Sequence, residues 1–215
     1  MQKNFWFCPY TKQLAILSDD DITYGALTPK LSNRQLYPFF YRIITPESSL
    51  NILKIAVLKH FDWDQIATIN PPGDTFDSGT TDFRERADEN GINVAVSEIF
   101  TIDPRLHVTN LKKLGVRIII GNFYEEQARR VFCQAYKEGM YGGKYVWFTP
   151  GWYSPEWWRK RGPGEDLDCT PEQMEMAVNG YFGVSYVSLP KDADPTDRVS
   201  KMVINSGKKT VVIYS

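Results

Sequence analysis

Two aromatic residues carry the strongest chemical signal in this sequence: Tyr124 in "GNFYEEQ" and Trp152 in "FTPGWYSPEWW". The second stretch, Phe148 to Trp158, holds three of the chain's six tryptophans, a tyrosine, two prolines and a glycine. That composition suits neither a regular helix nor a regular strand. An aromatic face on a loop offers apolar contact to a small ligand rather than proton or group transfer. Trp157 and Trp158 are adjacent, so at most one of them faces inward; the other is left for the surface or an interface.

Catalytic signals are weak by comparison. The chain has no GxGxxG after a strand, no GxxxxGK[ST], no GxSxG and no HExxH. Its two histidines, His60 and His107, are far apart, and neither has a nucleophile or orienting acid near it in sequence. His107, in "DPRLHVT", reads as an exposed helix residue, and "RGPGED" (Arg161 to Asp166) reads as a turn. The three cysteines, Cys8, Cys133 and Cys169, form no CxxC pair, which argues against zinc. An odd count leaves one thiol over if two pair. "SDDD" at Ser18 to Asp21 reads as a solvated loop, since calcium needs more ordered oxygen ligands. These patterns favour a binding module over an enzyme, with no catalytic residues, no metal and no cofactor.

The elements that must position the two aromatics read as alternating strands and helices. "SSLNILKIAVLKHF" places Leu50, Leu53, Val57 and Phe61 on one helical face. Strands follow at Gln65–Ile69, Ile92–Glu98, Val116–Gly121, Lys144–Thr149 and Tyr181–Leu189, with helices between them and one more strand possible in "KKTVVIYS". The clearest helix has Ala128, Val131, Phe132, Ala135 and Tyr136 on one face, and Glu126 and Arg130 spaced for an i,i+4 pair on the other. Such alternation predicts βαβ units and a parallel, doubly wound sheet. "NPPGD", Asn70 to Asp74, is the expected break between two such units. In open parallel sheets ligands bind beyond the carboxyl ends of the strands. Tyr124 follows one strand and Trp152 the next, so both should line one rim of a cleft.

Bulk properties are those of a globular chain: 215 residues, 42% apolar, 24% charged and a formal net charge of −1. The balance gives no reason to expect nucleic acid or an anionic membrane surface as the main partner. No apolar run approaches the length that spans a bilayer, and the N-terminus lacks the layout of a signal peptide.

Longer stretches are more specific. "YGALTPKLSNRQLYPFFYR", "DWDQIATI", "VRIIIGNFYEEQARRVFCQAYKEGMYGGKYVWFTPGWYSPEWW" and "DCTPEQMEMAVNGY" together resemble the extracellular domain of metabotropic GABA type B receptors, over about Ile22 to Leu189. The resemblance implies an α/β fold of the type I periplasmic-binding-protein kind, a Venus flytrap with doubly wound parallel sheets in two lobes, here incomplete. It implies residues 1–21 as an unassigned N-terminal segment, 22–71 as partial lobe one, 72–189 as partial lobe two and 190–215 as an unassigned tail. The chain reads as a fragment, not expected to be stabilised by GABA alone because closure needs contacts from both lobes.

Function and site follow from the same resemblance. It implies a G-protein-coupled receptor subunit on the extracellular side of the plasma membrane, sensing GABA or a related small amino acid by lobe closure. A second subunit is the implied partner in a heterodimer, and a G protein only through a membrane-spanning domain this chain does not carry. The alternative is a partner subunit that transmits activation without binding ligand. Tyr124 and Trp152 match the family's lobe-two tyrosine and tryptophan. Leu27, with Thr28 beside it, stands where lobe one offers a serine, and Ile44 or Thr45 replaces a histidine. A hydroxyl and an imidazole can hold a carboxylate; Leu27 and Ile44 cannot. Either Thr28, Thr45 and backbone N–H groups substitute, or GABA is not bound in the usual way. The family also pairs the equivalents of Cys133 and Cys169, leaving Cys8 unpaired.

Overall fold

The computed structural model describes residues 21–23, 26–42, 46, 48–162, 164–185, 201–206 and 209–214. The chain order is β1 (Asp21–Thr23), β2 (Phe40–Arg42), α1 (Ser48–His60), β3 (Gln65–Asn70), α2 (Asp74–Glu89), β4 (Asn93–Ile99) and α3 (Arg105–Lys113). It continues with β5 (Ile118–Gly121), α4 (Glu125–Glu138), β6 (Val146–Pro150), α5 (Pro171–Val178), β7 (Phe182–Val184), β8 (Lys201–Ser206) and β9 (Lys209–Tyr214). A 3-10 turn, Pro29–Ser32, lies between β1 and β2.

The main sheet has five strands in the order β4-β3-β5-β6-β7, every neighbouring pair parallel. Side chains alternate across it as a pleated strand requires. Ile118 and Ile120 of β5 join Leu50, Val57 and Leu58 of α1 and Phe83 and Ala87 of α2 in one apolar layer. Ile119, between them, faces the other way and packs with Val108 and Leu111 of α3, Val131 and Phe132 of α4, and Met174 and Ala177 of α5. Helices thus cover both faces, and a strand as apolar as "IIIG" is buried on both. The doubly wound α/β expectation is met.

Two readings of the N-terminal half are corrected. The expected lobe break at Asn70–Asp74 falls inside one sheet: β3 is hydrogen-bonded to β4 on one side and β5 on the other, and α1 packs on α2. "NPPGD" is a strand-to-helix turn, and Pro-Gly breakers mark such turns as strongly as they mark linkers. It is locked by Asn70, whose Nδ2 donates to the Pro71 carbonyl (2.9 Å) and Asp77 Oδ1 (3.1 Å), while Asp77 Oδ2 accepts the Gly73 N–H. The division at 71/72 therefore does not follow the sheet. Phe61, expected on the buried face of α1, is exposed and stacks on Trp63 instead. The helix buries Asn51 and Lys54 in its place. Asn51 Nδ2 donates to the Gly79 carbonyl and to Asp82, and Lys54 Nζ donates to Asn51 Oδ1.

Outside this sheet, β1 and β2 form a parallel pair and β8 and β9 an antiparallel one. The sequence reading finds β9 and leaves β8 unassigned. Cys133 of α4 is bonded to Cys169, just ahead of α5, as the resemblance implies. Cys8 lies outside the described residues. No helix among the described residues is long and apolar enough to cross a membrane.

Candidate functional site

The site is built at the carboxyl edge of the sheet, where strand order reverses around β3. Three adjacent strands each deliver an aromatic ring there. The turn after β3 opens α2, whose first turn carries Phe76. Strand β5 ends at Gly121, and Tyr124 is the residue that caps α4. Strand β6 ends at Pro150, followed by Gly151 and Trp152. The Phe76 and Tyr124 ring centroids are 4.9 Å apart, edge to face, and the Tyr124 and Trp152 centroids 5.8 Å apart. Tyr124 is 39% exposed and Trp152 42%, so both present open ring surface to solvent, whereas Phe76 is buried beneath. The structure brings the two residues together as a rim; Phe76 is a member that sequence reasoning missed, because no pattern distinguishes it from an ordinary helix residue.

Two glycines allow the close approach. A Cβ on Gly121 would stand 2.5 Å from the Phe123 ring. One on Gly151 would stand 2.8 Å from both Ser185 Cβ and the Val184 carbonyl carbon. Gly151 also donates its N–H to the Val184 carbonyl at 2.7 Å, which sets the path of the aromatic loop against β7.

Consecutive residues at the start of α4 meet consecutive residues of that loop. The Tyr153 hydroxyl donates to the Phe123 carbonyl at 2.5 Å. Glu125 accepts the Ser154 N–H at 2.5 Å on one carboxylate oxygen and lies 3.1 Å from the Ser154 hydroxyl through the other. The Tyr124–Trp152 ring contact adjoins these two bonds in sequence. Beneath them Trp157 is 1% exposed and packs against Phe132, while Trp158 is only partly buried, as the adjacency of the two requires.

The loop beyond is tied to α4 by an ion pair that the sequence reading missed. Glu165, inside the segment read as a plain turn, accepts Arg129 Nε at 2.7 Å and Arg129 NH2 at 2.7 Å, and Arg129 NH1 donates to the Trp157 carbonyl. Both side chains are buried, at 7% and 2% exposure. Burial pushes the Glu165 carboxyl up, but the Arg129 guanidinium, the Gly162 N–H and the nearby positive charges outweigh it, and its pKa lies below the usual glutamate value.

Thr28 and Leu27 are placed differently. Thr28 is buried, with its hydroxyl 3.2 Å from that of Ser78 on α2, and Lys30 Nζ lies 2.7 Å from Asp74 Oδ1. Leu27 is half-buried. Thr28 and Lys30 thus contact α2, the helix that carries Phe76. Ile44 and Thr45 lie outside the described residues. His107, expected to be an exposed helix residue, is only 28% exposed and pairs with Glu98 at 2.6 Å, because α3 packs back on β4. Among the described residues no group of three or more His, Cys, Asp or Glu side chains could hold a metal ion.

The fold is an α/β domain with a parallel sheet, and its paired aromatic rings stand at the carboxyl edge, where open sheets of this kind bind ligands. The chain belongs to the receptor family ligand binding region, whose sequence signature covers residues 21–207. It is 40% identical over 168 residues to the mouse gamma-aminobutyric acid type B receptor subunit 1, an alignment covering 78% of this chain and 17% of the relative. Human subunit 2 is 34% identical over 169 residues, with 78% and 18% covered. The Caenorhabditis elegans subunit 1 is 35% identical over 174 residues, with 81% and 19% covered. The chain thus spans under a fifth of the length of these relatives, which are receptors rather than enzymes.

Proposed function

We propose that this chain forms part of the extracellular ligand-binding region of a GABA type B receptor subunit at the plasma membrane. It takes GABA or a related small amino acid and signals by lobe closure. A second subunit is its partner, and a G protein is reached only through a membrane-spanning domain. In this reading α1 through β7 form lobe two, and the boundary with lobe one lies between Arg42 and Ser48, ahead of α1. Leu27 and Thr28 belong to the lobe-one side, and Thr28 supplies the hydroxyl where a serine is replaced by leucine.

The observation that carries the reading is the Tyr124–Trp152 pair, half-open at the carboxyl ends of neighbouring strands. A ring face of this kind packs on the methylenes of a short amino acid, contributing roughly 1–3 kcal/mol. One lobe's contacts alone give weak binding, so the sensitive readout is a resonance rather than a melting temperature. GABA is titrated into the 15N-labelled full chain. The Trp152 indole N–H signal is expected to move, while those of Trp147 and Trp157, which donate to the Met140 carbonyl and the Tyr181 hydroxyl, stay fixed.

A second reading has its own support. Leu27 cannot hold a carboxylate, and the Thr28 hydroxyl is already engaged by Ser78. A buried carboxylate without donors costs several kcal/mol. This favours a subunit that dimerises and transmits closure without a ligand of its own. An unmoved Trp152 signal in the titration decides for that reading and against the first.

A further inference from the structure

We propose that Glu125 and Ser154 are positioning residues for the Tyr124–Trp152 pair, forming with Phe123 and Tyr153 a clamp that holds the two rings as a preformed ligand platform. This rests on the reading of that pair as the ligand contact.

The geometry is three contacts between neighbouring residues of two segments. Residues 123, 124 and 125 meet residues 153, 152 and 154. Two of them are hydrogen-bonded: Tyr153 hydroxyl to the Phe123 carbonyl, and Ser154 N–H and hydroxyl to the two oxygens of Glu125. The remaining contact is the Tyr124–Trp152 ring pair, which is half-open to solvent. Tyr124 also meets Phe76 and Trp152 meets Tyr153, and the hydrogen bonds fix the backbone from which the rings project. The bond to the Ser154 N–H is charge-assisted, which makes it stronger than a neutral one. It also satisfies a backbone donor in a loop with no regular structure.

Further groups hold the clamp in place. Lys160 Nζ donates to the Ser154 hydroxyl at 2.8 Å. Arg129 NH1 lies 3.9 Å from Glu125 Oε2, one helical turn along α4. The Glu125 carboxylate is therefore flanked by a guanidinium that is itself anchored to Glu165. The chain Ser154–Glu125–Arg129–Glu165 links the tip of the aromatic loop to the buried ion pair. Preorganisation of this kind acts on ligand affinity, because a ring already in place loses no rotamer freedom when the ligand arrives.

The role separates from folding. Glu125 sits in the first turn of α4, and the core beneath is built by Phe132, Trp147 and Trp157. Three variants of the full chain test it: Glu125→Ala, Ser154→Ala and Glu125→Gln. The readouts are the Trp152 indole N–H resonance without ligand, its movement with GABA, and the thermal midpoint. In Glu125→Ala the indole signal shifts or broadens as the Tyr124 ring moves away, and GABA binding weakens at least about tenfold, the loss of one charge-assisted hydrogen bond. The buried Trp147 and Trp157 signals stay in place. Ser154→Ala keeps the backbone donor and gives a smaller change of the same sign. Glu125→Gln keeps an acceptor for the Ser154 N–H and restores the wild-type signal.

An unshifted Trp152 signal in Glu125→Ala overturns the clamp, whatever GABA does. Loss of all tryptophan signals together overturns it too, since the residue is then required for the fold. If the ligand-free signal shifts in Glu125→Ala but GABA moves nothing in the wild type, the clamp stands as a structural device and its ligand role is overturned with the ligand reading.

Discussion

Arg129 and Glu165 form a buried ion pair across thirty-six residues, with Nε and NH2 both on the carboxylate and NH1 on the Trp157 carbonyl. The pair joins α4 to the far end of the aromatic loop. Removing one partner strands the other charge in a site that water does not reach. Glu165→Ala is expected to lower stability by about 3–5 kcal/mol, measured by urea unfolding. Replacing both residues by Met and Leu should cost much less, since no charge is then left unpaired. Equal losses in the single and double variants would contradict this account.

The same carboxylate gives a pH dependence. The folded-state pKa of Glu165 lies below its unfolded value of about 4.3. Its contribution is therefore complete above the unfolded pKa and is lost as pH falls through the lower folded value. Wild-type stability should drop more steeply than that of Glu165→Gln as pH falls below the unfolded glutamate value. Parallel pH profiles for the two proteins would show that the pair does not titrate as argued.

The disulfide between Cys133 and Cys169 closes a loop that contains β6 and the whole aromatic segment. In the chain-entropy picture such a crosslink contributes about 3–4 kcal/mol. Reduction, or Cys133→Ala with Cys169→Ala, should lower the thermal midpoint and loosen Trp152 before the β3–β4 edge of the sheet, as followed by hydrogen exchange. Mass spectrometry of unreduced peptides checks the bond directly; a free Cys133 thiol in folded protein excludes it.

Gly151 is held against β7 too closely for a side chain. Gly151→Ala places a Cβ 2.8 Å from the Val184 carbonyl carbon, so backbone must move. The expected loss is about 1–3 kcal/mol, with displacement of Trp152. Gly143→Ala serves as the control, since nothing lies within 4 Å of a Cβ there. If both variants melt like the wild type, the close approach at Gly151 is not a constraint.

Much of the arrangement was legible in the chain because its signals are local. The period of α4, the apolar run of β5 and the aromatic density after β6 each report on their own segment, and the βαβ alternation then places Tyr124 and Trp152 on one edge. What stayed hidden depends on residues distant in sequence. Glu165 looks like a turn residue until Arg129 is placed opposite it. His107 looks solvated until α3 folds back on Glu98. Phe61 fits a helical face by spacing, but it lies just past the end of α1 and stacks on Trp63, while Asn51 on that helix is buried by polar bonds to α2 that leave no periodic trace. The break at "NPPGD" misled for a different reason: a β-to-α turn and an interlobe linker use the same residues, and only the pairing of β3 with β4 and β5 tells them apart.

The central claim is that Trp152 and Tyr124 are the ligand contact of this lobe. Its most direct test is the dissociation constant of GABA for the wild type and for Trp152→Ala, followed through the backbone amide resonance of Tyr124. The indole is 42% exposed, so its removal should leave the fold intact while removing the face that packs on the ligand. Binding is expected to weaken at least about tenfold, in line with the loss of one aromatic contact. An unchanged dissociation constant in a folded Trp152→Ala protein would contradict the assignment of this rim as the binding site.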